Sequence, residues 1–338
     1  MDKEVADRVR DSLVEQRDRV EKWLQDATPE EKQARLGPFA ESAVQQHLDV
    51  LDGAATKAEQ NTLGICVVCQ GEVELSRLEV DYTANVCIED LTDTQRRNLE
   101  KELQLSQKVQ KALLPQQIPN LPGLELAAFS QPARIVGGDY FDFFQFKDGS
   151  PGLVIADVMG KGVGASLLMA SLQASLRILV TEEDDPCEVI RRLNQLFLHN
   201  INLTKFVTLF LARYDASSRT LYYCNAGHNP PVLVRNNESR WVQSTSAAIG
   251  LIENFDQQGD RLVLRQGDLL LLYTDGVTEA HNASEEEFGD DRLAEVVTGN
   301  ASLPARDLLT AIRRAIQQFT TKETPEDDTT IVAVKVVA

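Results

Sequence analysis

The chain is poor in long apolar runs, in positive charge and in cysteine, and each shortage narrows what it can do. No stretch approaches the roughly 18 consecutive apolar residues that cross a bilayer as a helix. The most apolar helix candidate, Gly164 to Val180, is broken by Ser166, Ser171, Gln173, Ser175 and Arg177. The first residues, Met1-Asp2-Lys3-Glu4, open a charged helical pattern and not the apolar core of a secretory signal. Lys and Arg number 34 against 52 Asp and Glu, a formal net charge of -18, so the average surface repels nucleic acid and anionic lipid. Neither a nucleic-acid nor a membrane partner is expected. Five cysteines, three of them clustered as Cys66, Cys69 and Cys87, do not form a disulfide framework in a chain of 338 residues. A reducing, cytoplasmic setting is expected, with Cys187 and Cys224 as inert thiols.

What is present is ordinary globular composition, 43% hydrophobic and 25% charged, in a chain long enough for two domains. Residues 1–62 place Val5, Val9, Leu13, Val20 and Leu24 at helical spacing. Thr28-Pro29 breaks the pattern, and a helical hairpin follows, its first arm ending near residue 26 and its return arm spanning about 38–60. Residues 63–90 form a short cysteine-bearing module. Residues 91–118 are a joining helix, rich in leucine to Leu114 and stopped by Pro115, with Pro119, Pro122 and Gly123 beyond it.

From residue 119 to 338 the texture becomes short β-type runs joined by Gly and Asn turns. Strands are expected at Leu124 to Phe129, Asp139 to Phe146, Gly152 to Asp157, Val207 to Tyr214, Thr220 to Cys224, Val232 to Arg235, Leu269 to Thr274 and Thr330 to Val337. Helices are expected at Ala165 to Val180, Pro186 to Asn200, Asp290 to Val297 and Pro304 to Phe319. Consecutive strands with helices grouped apart read as a layered α+β domain, not a doubly wound parallel sheet.

Aspartates recur in this domain at strand ends beside glycines: Gly137-Gly138-Asp139-Tyr140-Phe141-Asp142, then Ala156-Asp157-Val158-Met159-Gly160-Lys161-Gly162, then Tyr273-Thr274-Asp275-Gly276, and Asp327-Asp328-Thr329-Thr330. A strand end is a rigid platform, and a neighbouring glycine lets backbone approach closely. Several carboxylates converging repel one another unless cations or protons neutralise them. Hard divalent ions with oxygen ligands suit this set better than zinc. Two such ions about 3.5–4 Å apart lower the pKa of a water between them and neutralise a phosphoryl group, so the implied chemistry is direct attack of dimetal-activated water on a phosphate ester. One Asp-Gly pair is ordinarily a turn; the number and order of these pairs carry the reading.

The ordered segments GGDYFD (137–142), ADVMGKG (156–162), AGHNPP (226–231), LLYTDGVTEA (271–280) and DDTT (327–330) resemble the SpoIIE-like, RsbU-type branch of the PPM metal-dependent protein phosphatases, over residues 120 to 338. The resemblance implies an αββα sandwich of two antiparallel sheets flanked by helices, with two Mn²⁺ or Mg²⁺ ions at one edge. It implies Asp139 and Asp157 as central ligands, Asp157 bridging both ions, a contribution from the Val158 carbonyl, and Asp275 and Asp327 completing the second site. Asp328 stands where relatives carry a carboxylate or Asn, and is counted with the metal-site residues. Catalysis would then rest on Asp139, Asp157 and Asp275. Arg134, five residues before Asp139, sits where the wider family often places a phosphate-binding arginine, and a guanidinium suits bidentate phosphate contact; the other reading is a solvent-facing strand start. His228, followed by Pro230 and Pro231, is read as stabilising a turn. Lys161 lies in a Gly-rich turn without P-loop spacing, so ATP binding is not expected.

Cys66-x₂-Cys69 with Cys87 after 17 further residues has the spacing of a short zinc finger. With the preceding helical hairpin it resembles the four-cysteine finger of the DksA/TraR type, with Asp90 where the fourth cysteine stands. Either the site holds Zn²⁺ through Cys66, Cys69, Cys87 and Asp90, or the module has lost its metal and stands on its small core. In SpoIIE-like enzymes an entering helix commonly pairs between protomers; Leu99, Leu103, Val109 and Leu113 could form that homodimer seam or simply pack on their own domain. The resemblance points to a phosphorylated anti-anti-sigma protein of the STAS type as substrate. The alternatives are a non-catalytic phosphoprotein-binding protein and an RNA-polymerase-associated regulator using the N-terminal finger.

Overall fold

A computed structural model describes residues 40–60, 62–74, 84–200, 206–252, 259–321 and 325–337, with single positions within 14–22 and at 78. The expected first arm of the N-terminal hairpin lies almost wholly outside the described residues. The chain divides into two compact units, Met1–Lys101 and Glu102–Ala338.

In the first unit, helix α1 (Ala40–Glu59) is the expected return arm; Leu51, Ala54 and Ala58 bury themselves with Leu63. The cysteine module has its own small core of Cys66, Val73, Leu78, Ala84 and Cys87. Helix α2 (Asp93–Leu113) starts from a reciprocal cap: Thr92 N–H donates to Gln95 Oε1 at 3.0 Å, and Gln95 N–H donates to Thr92 Oγ1 at 3.3 Å. The division between the units falls within α2.

Beyond α2, the described residues of the second unit form ten strands and four helices, in the order β1 (Leu124–Gln131), β2 (Tyr140–Gln145), β3 (Pro151–Val158), α3 (Val163–Glu182), α4 (Pro186–Asn200), β4 (Val207–Asp215), β5 (Thr220–Ala226), β6 (Val232–Arg235), β7 (Glu238–Trp241), β8 (Asp260–Val263), β9 (Leu269–Tyr273), α5 (Gly289–Gly299), α6 (Ala305–Thr320) and β10 (Thr329–Val336). Two antiparallel sheets result, ordered β1-β10-β9-β6-β7 and β2-β3-β4-β5-β8.

Period-two alternation sorts each strand between two cores. From β9, Leu270 and Leu272 enter the core between the sheets, whereas Leu269, Leu271 and Tyr273 enter the core under α5 and α6. From β3, Leu153 and Ile155 point between the sheets, while Val154, Ala156 and Val158 face α3 and α4. The result is a four-layer αββα sandwich with three apolar interfaces. The all-apolar run Leu269–Tyr273 is thereby explained: both of its faces are covered.

The sequence reading missed two strands, and both lie at sheet edges. Strand β7, Glu-Ser-Arg-Trp, is mostly exposed and polar, so no hydrophobic alternation marks it. Its signal is the turn: Asn236 and Asn237 both adopt positive φ, 52° and 66°, which suits a tight two-residue hairpin. Strand β8 is likewise largely exposed and pairs only with β5. Helix α3, contrary to the expectation for Gly164 to Val180, is long and apolar enough by length and composition to cross a membrane. Its stripe Ala165, Met169, Leu172, Leu176 and Leu179 is buried in the core against the second sheet and α4.

One polar network ties α3 to that sheet. Asp142 of β2 is 1% exposed, and its Oδ2 accepts from Tyr140 Oη at 2.7 Å, Arg177 Nε at 2.7 Å and Arg177 Nη2 at 2.6 Å. Removing the guanidinium leaves a buried carboxylate short of donors. Arg177→Ala is expected to cost about 1–3 kcal/mol, below the full cost of a buried pair because Arg177 is half-exposed. Urea unfolding followed by circular dichroism checks this.

Candidate metal centre

The acidic site forms where the ends of the two sheets meet. In one sheet the pairing of Tyr140 with Ala156 sets Asp139, just before β2, beside Asp157 near the end of β3. In the other, Ile331 pairs with Tyr273, and Thr274 N–H donates to Thr330 O at 3.0 Å. Asp275, after β9, therefore lies beside Asp327 and Asp328, before β10. Stacking the sheets closes the set: Thr274 Oγ1 donates to Asp139 Oδ2 at 2.8 Å, and Gly138 N–H donates to Asp328 Oδ2 at 2.6 Å.

Backbone supports hold the segment that carries Asp139. Asp328 accepts Ala133 N–H on Oδ1 at 2.8 Å as well as Gly138 N–H on Oδ2, so both of its oxygens pin the 133–138 turn. From α2, the buried Gln110 pairs with the peptide of Gly137, donating to its carbonyl at 2.6 Å and accepting its N–H at 3.1 Å. Each such buried pairing, once broken, costs about 1–3 kcal/mol. The glycines are required by closeness: a Cβ on Gly138 would sit 2.6 Å from the Val158 carbonyl oxygen, and one on Gly137 would collide with the Asp328 carboxylate.

The electrostatics are those of crowded anions. Burial and the charge of Asp157 hold the Asp139 carboxyl well above the usual carboxylate range. Burial, then the charges of Asp275, Asp327, Asp328 and Glu279, push Asp157 up from 3.8 to about 7. Burial, Glu279 and Asp327 push Asp275 to about 6. Burial raises Asp328 too, against its two backbone donors. Asp139 is 6% exposed, and its Oδ1 is buried without a hydrogen-bond partner among the described residues. A buried carboxylate oxygen with no donor, ringed by other carboxylates, fits an oxygen-liganded divalent cation.

The other residues singled out from sequence fall around this set. The Val158 carbonyl faces Gly138. Arg134 is exposed and lies over Gly162, in the turn after β3, its Nη1 3.7 Å from where a Cβ would stand. Lys161, in that same turn, pairs with Asp327 Oδ2 at 2.7 Å and donates to Glu326 O at 3.0 Å. His228 is 2% exposed and packs Nδ1 against Thr208 Oγ1 at 2.9 Å; burial drives its pKa down to about 3, so it is neutral at physiological pH. Asn225 bridges the backbone N–H and C=O of His228, which fits the turn role read for it. Sequence reasoning did not single out Glu279, Thr274 or Gln110. Glu279 and Thr274 lie inside a quoted motif, while Gln110 is one glutamine among several on a polar helix and has no local signal.

In the first unit, Cys66, Cys69, Cys87 and Asp90 bring one ligand atom each to within 4.8 Å of one another. Val68 N–H at 3.4 Å and Cys87 N–H at 3.3 Å donate to Cys66 Sγ, and Gly71 N–H donates to Cys69 Sγ at 3.4 Å. Asp90 Oδ2 lies 3.2 Å from Cys66 Sγ and 3.1 Å from Cys87 Sγ. The nearby carboxylate and burial push the Cys87 thiol up to about 12.

A family model described as Stage II sporulation protein E (SpoIIE) matches residues 147–337, more than half of the chain. The chain belongs to the SpoIIE family. It is 32% identical over 262 residues to Protein IcfG of Synechocystis sp., covering 69% of this chain and 41% of that protein. It is 29% identical over 186 residues to the phosphoserine phosphatase RsbU of Bacillus subtilis, covering 54% of this chain and 55% of RsbU. The chain thus spans about half or less of these relatives' lengths. Among solved structures, the SiaA-PP2C domain of Pseudomonas aeruginosa superposes with a TM-score of 0.64 at 21% identity, covering 71% of this chain and 98% of that domain. The RsbU and RsbW domains of Rv1364c from Mycobacterium tuberculosis match with a TM-score of 0.59 at 27% identity, covering 67% of this chain and 63% of theirs. The αββα layering of the second unit is the PP2C phosphatase fold.

The raised carboxyls link stability to pH with a definite sign. Between 3.8 and about 7 the metal-stripped native state holds a proton on Asp157 that the unfolded chain has released. Stability of the stripped protein therefore falls as pH rises through that window. Thermal melts in EDTA are expected to show this slope, shallower in Asp157→Asn; an equal slope in both proteins contradicts the electrostatic account.

Proposed function

We propose that this SpoIIE-family chain is a metal-dependent protein phosphatase that hydrolyses phosphoserine or phosphothreonine on a partner protein. The observation that carries the reading is the buried Asp139 carboxylate, without a donor on Oδ1 and crowded by Asp157, at the junction of the two sheets. Asp139, Asp157, Asp275 and Asp327, with the Val158 carbonyl, would hold two divalent ions, Mn²⁺ or Mg²⁺. Bound there, the ions would supply charge neutralisation for a phosphate ester and acidify water for direct attack. Asp328, whose oxygens both accept backbone N–H, holds the turn carrying Asp139 and leaves direct coordination to the other four. Thr274 fixes one Asp139 oxygen so that the other stays directed into the site. Lys161 holds Asp327, and the exposed Arg134 beside Gly162 offers a guanidinium to the phosphate.

Similarity to the phosphoserine phosphatases RsbU and RsbP supports a phosphoprotein substrate, and within that class we favour a STAS-type anti-anti-sigma protein. Cysteine usage without a disulfide framework suits a reducing cytoplasm. Of the seam Leu99, Leu103, Val109 and Leu113 on α2, Val109 is exposed and the three leucines are half-buried; the exposed Val109 supports pairing of two copies through that helix. With Mn²⁺, the protein is expected to hydrolyse p-nitrophenyl phosphate, and EDTA to abolish this. Asp157→Asn is expected to lower kcat/KM by about 10³-fold, roughly 4 kcal/mol of transition-state stabilisation, while remaining folded. Full activity in a folded Asp157→Asn protein would sink the assignment.

The cysteine cluster supports a second metal role. We propose that Cys66, Cys69, Cys87 and Asp90 hold one structural Zn²⁺: three sulfurs and a carboxylate within 4.8 Å match a closed tetrahedral set, and backbone N–H groups on two sulfurs favour thiolates. Elemental analysis of protein purified without chelator is expected to find one zinc per chain. Asp90→Ala should lose most of it and Asp157→Asn none; zinc-free wild-type protein ends the proposal.

A further inference from the structure

A groove of about 310 Å³ opens directly beside the acidic centre. One wall is shared with that centre: Glu279 and Asp327 line the groove and act on Asp157, with Gly276 and Thr329 next to them in the chain segments that carry Asp275 and Asp328. The facing wall is α6, which contributes Arg313 and Arg314, both exposed, with Phe129 of β1 at its base. Of the three acidic lining residues, Glu279 has no salt-bridge partner among the described residues, while the other two have basic neighbours. Asp327 pairs with Lys161 at 2.7 Å, and Glu326 lies 3.5 Å from His281 Nδ1.

The two arginines differ from them. The Arg313 guanidinium stacks on the Phe129 ring, 3.7 Å from its centroid. Stacking fixes the planar group by its face and leaves the N–H edge available, and neither Arg313 nor Arg314 has a carboxylate partner among the described residues. A chain of net charge -18 thus sets two uncompensated guanidinium groups along the groove that runs into its acidic site. Planar guanidinium pairs with carboxylate through two parallel hydrogen bonds.

We propose that this groove is a substrate subsite: it receives the segment of the phosphoprotein next to its phosphorylated residue, and Arg313 and Arg314 take a carboxylate side chain of that segment. The inference rests on the phosphatase reading and adds a sequence preference to it. The charge separation has a mechanistic logic. A phosphorylated, acidic segment entering a field of carboxylates is repelled, and the two arginines place attraction one groove-length away from the centre, where it cannot compete for the metal ligands.

The test uses the full chain with Mn²⁺ and two fluorescein-labelled peptides carrying a non-hydrolysable phosphonate in place of phosphoserine. One peptide has Asp and Glu within four residues of the phosphonate; the other has Asn and Gln there. Fluorescence anisotropy is expected to show about tenfold tighter binding of the acidic peptide to the wild-type protein, some 1.4 kcal/mol. The preference should vanish in R313Q/R314Q and be weakened but kept in R313K/R314K, which retains the charge without the planar fork. Turnover of p-nitrophenyl phosphate, too small to reach α6, should be equal in all three. Equal binding of the two peptides by the wild type, or a preference that persists in R313Q/R314Q or is lost equally in both variants, overturns the proposal. Absence of p-nitrophenyl phosphate turnover in the wild type is a different result: it removes the phosphatase reading, while the anisotropy comparison still decides whether the groove selects acidic peptides.

Discussion

Buried carboxylates of like charge cannot stand together unaided, and the second unit is organised around forcing them to do so. Asp139 and Asp157 come from neighbouring strands of one sheet, and Asp275 and Asp328 from neighbouring strand ends of the other. Their mutual repulsion, added to desolvation, shows as carboxyls held far above their ordinary range. Only a scaffold whose stability comes from elsewhere can maintain this arrangement. The three apolar interfaces of the sandwich are that scaffold, since they keep both sheets fixed whatever the site's charge state.

The same constraint explains the polar supports around the site. Asp328 spends both oxygens on backbone N–H groups, Gln110 saturates the peptide of Gly137, and Thr274 occupies one oxygen of Asp139. Each support reduces the freedom of a carboxylate to swing away from its neighbours. What remains is an unmet demand: Asp139 Oδ1 is buried with no donor among the described residues, in a carboxyl that also feels the charges of Asp157 and Asp328. A cation relieves this at once, whereas protonation relieves it only at the cost of the charge that would hold the cation.

How much of this was legible from sequence follows from where each signal resides. Strands with two buried faces, such as Leu269–Tyr273 and Val207–Asp215, announce themselves through apolar pattern, as do helices α3 to α6. The Asp-Gly pairs at strand ends were legible because their order along the chain is itself a pattern. Edge strands β7 and β8 were not, because exposed edges gain little from apolar residues and are written in polar ones. Long-range partners were equally silent. Nothing local to Gln110 announces that it meets Gly137, and nothing in Asp-Asp at 327–328 says that one carboxylate faces Lys161 while the next is committed to backbone. Pairing of β1 with β10, about 200 positions apart, creates those relations, and only the folded sheet contains them.

The two metal-type clusters of the chain show opposite solutions to one problem. In the sandwich, hard oxygen donors are spread over four sequence segments, so a folded core must exist before the site does. In the cysteine module the donors lie within 25 residues of chain and are supported by a core of five small side chains, far too little apolar surface to define the loop alone. There the order of dependence runs the other way: a cation bound by three sulfurs and Asp90 would contribute folding energy outright, whereas at the sheet edge it would complete a site the fold has already built. With the proposed ions bound, a change of metal availability would act on the first unit through its folding and on the second through its chemistry.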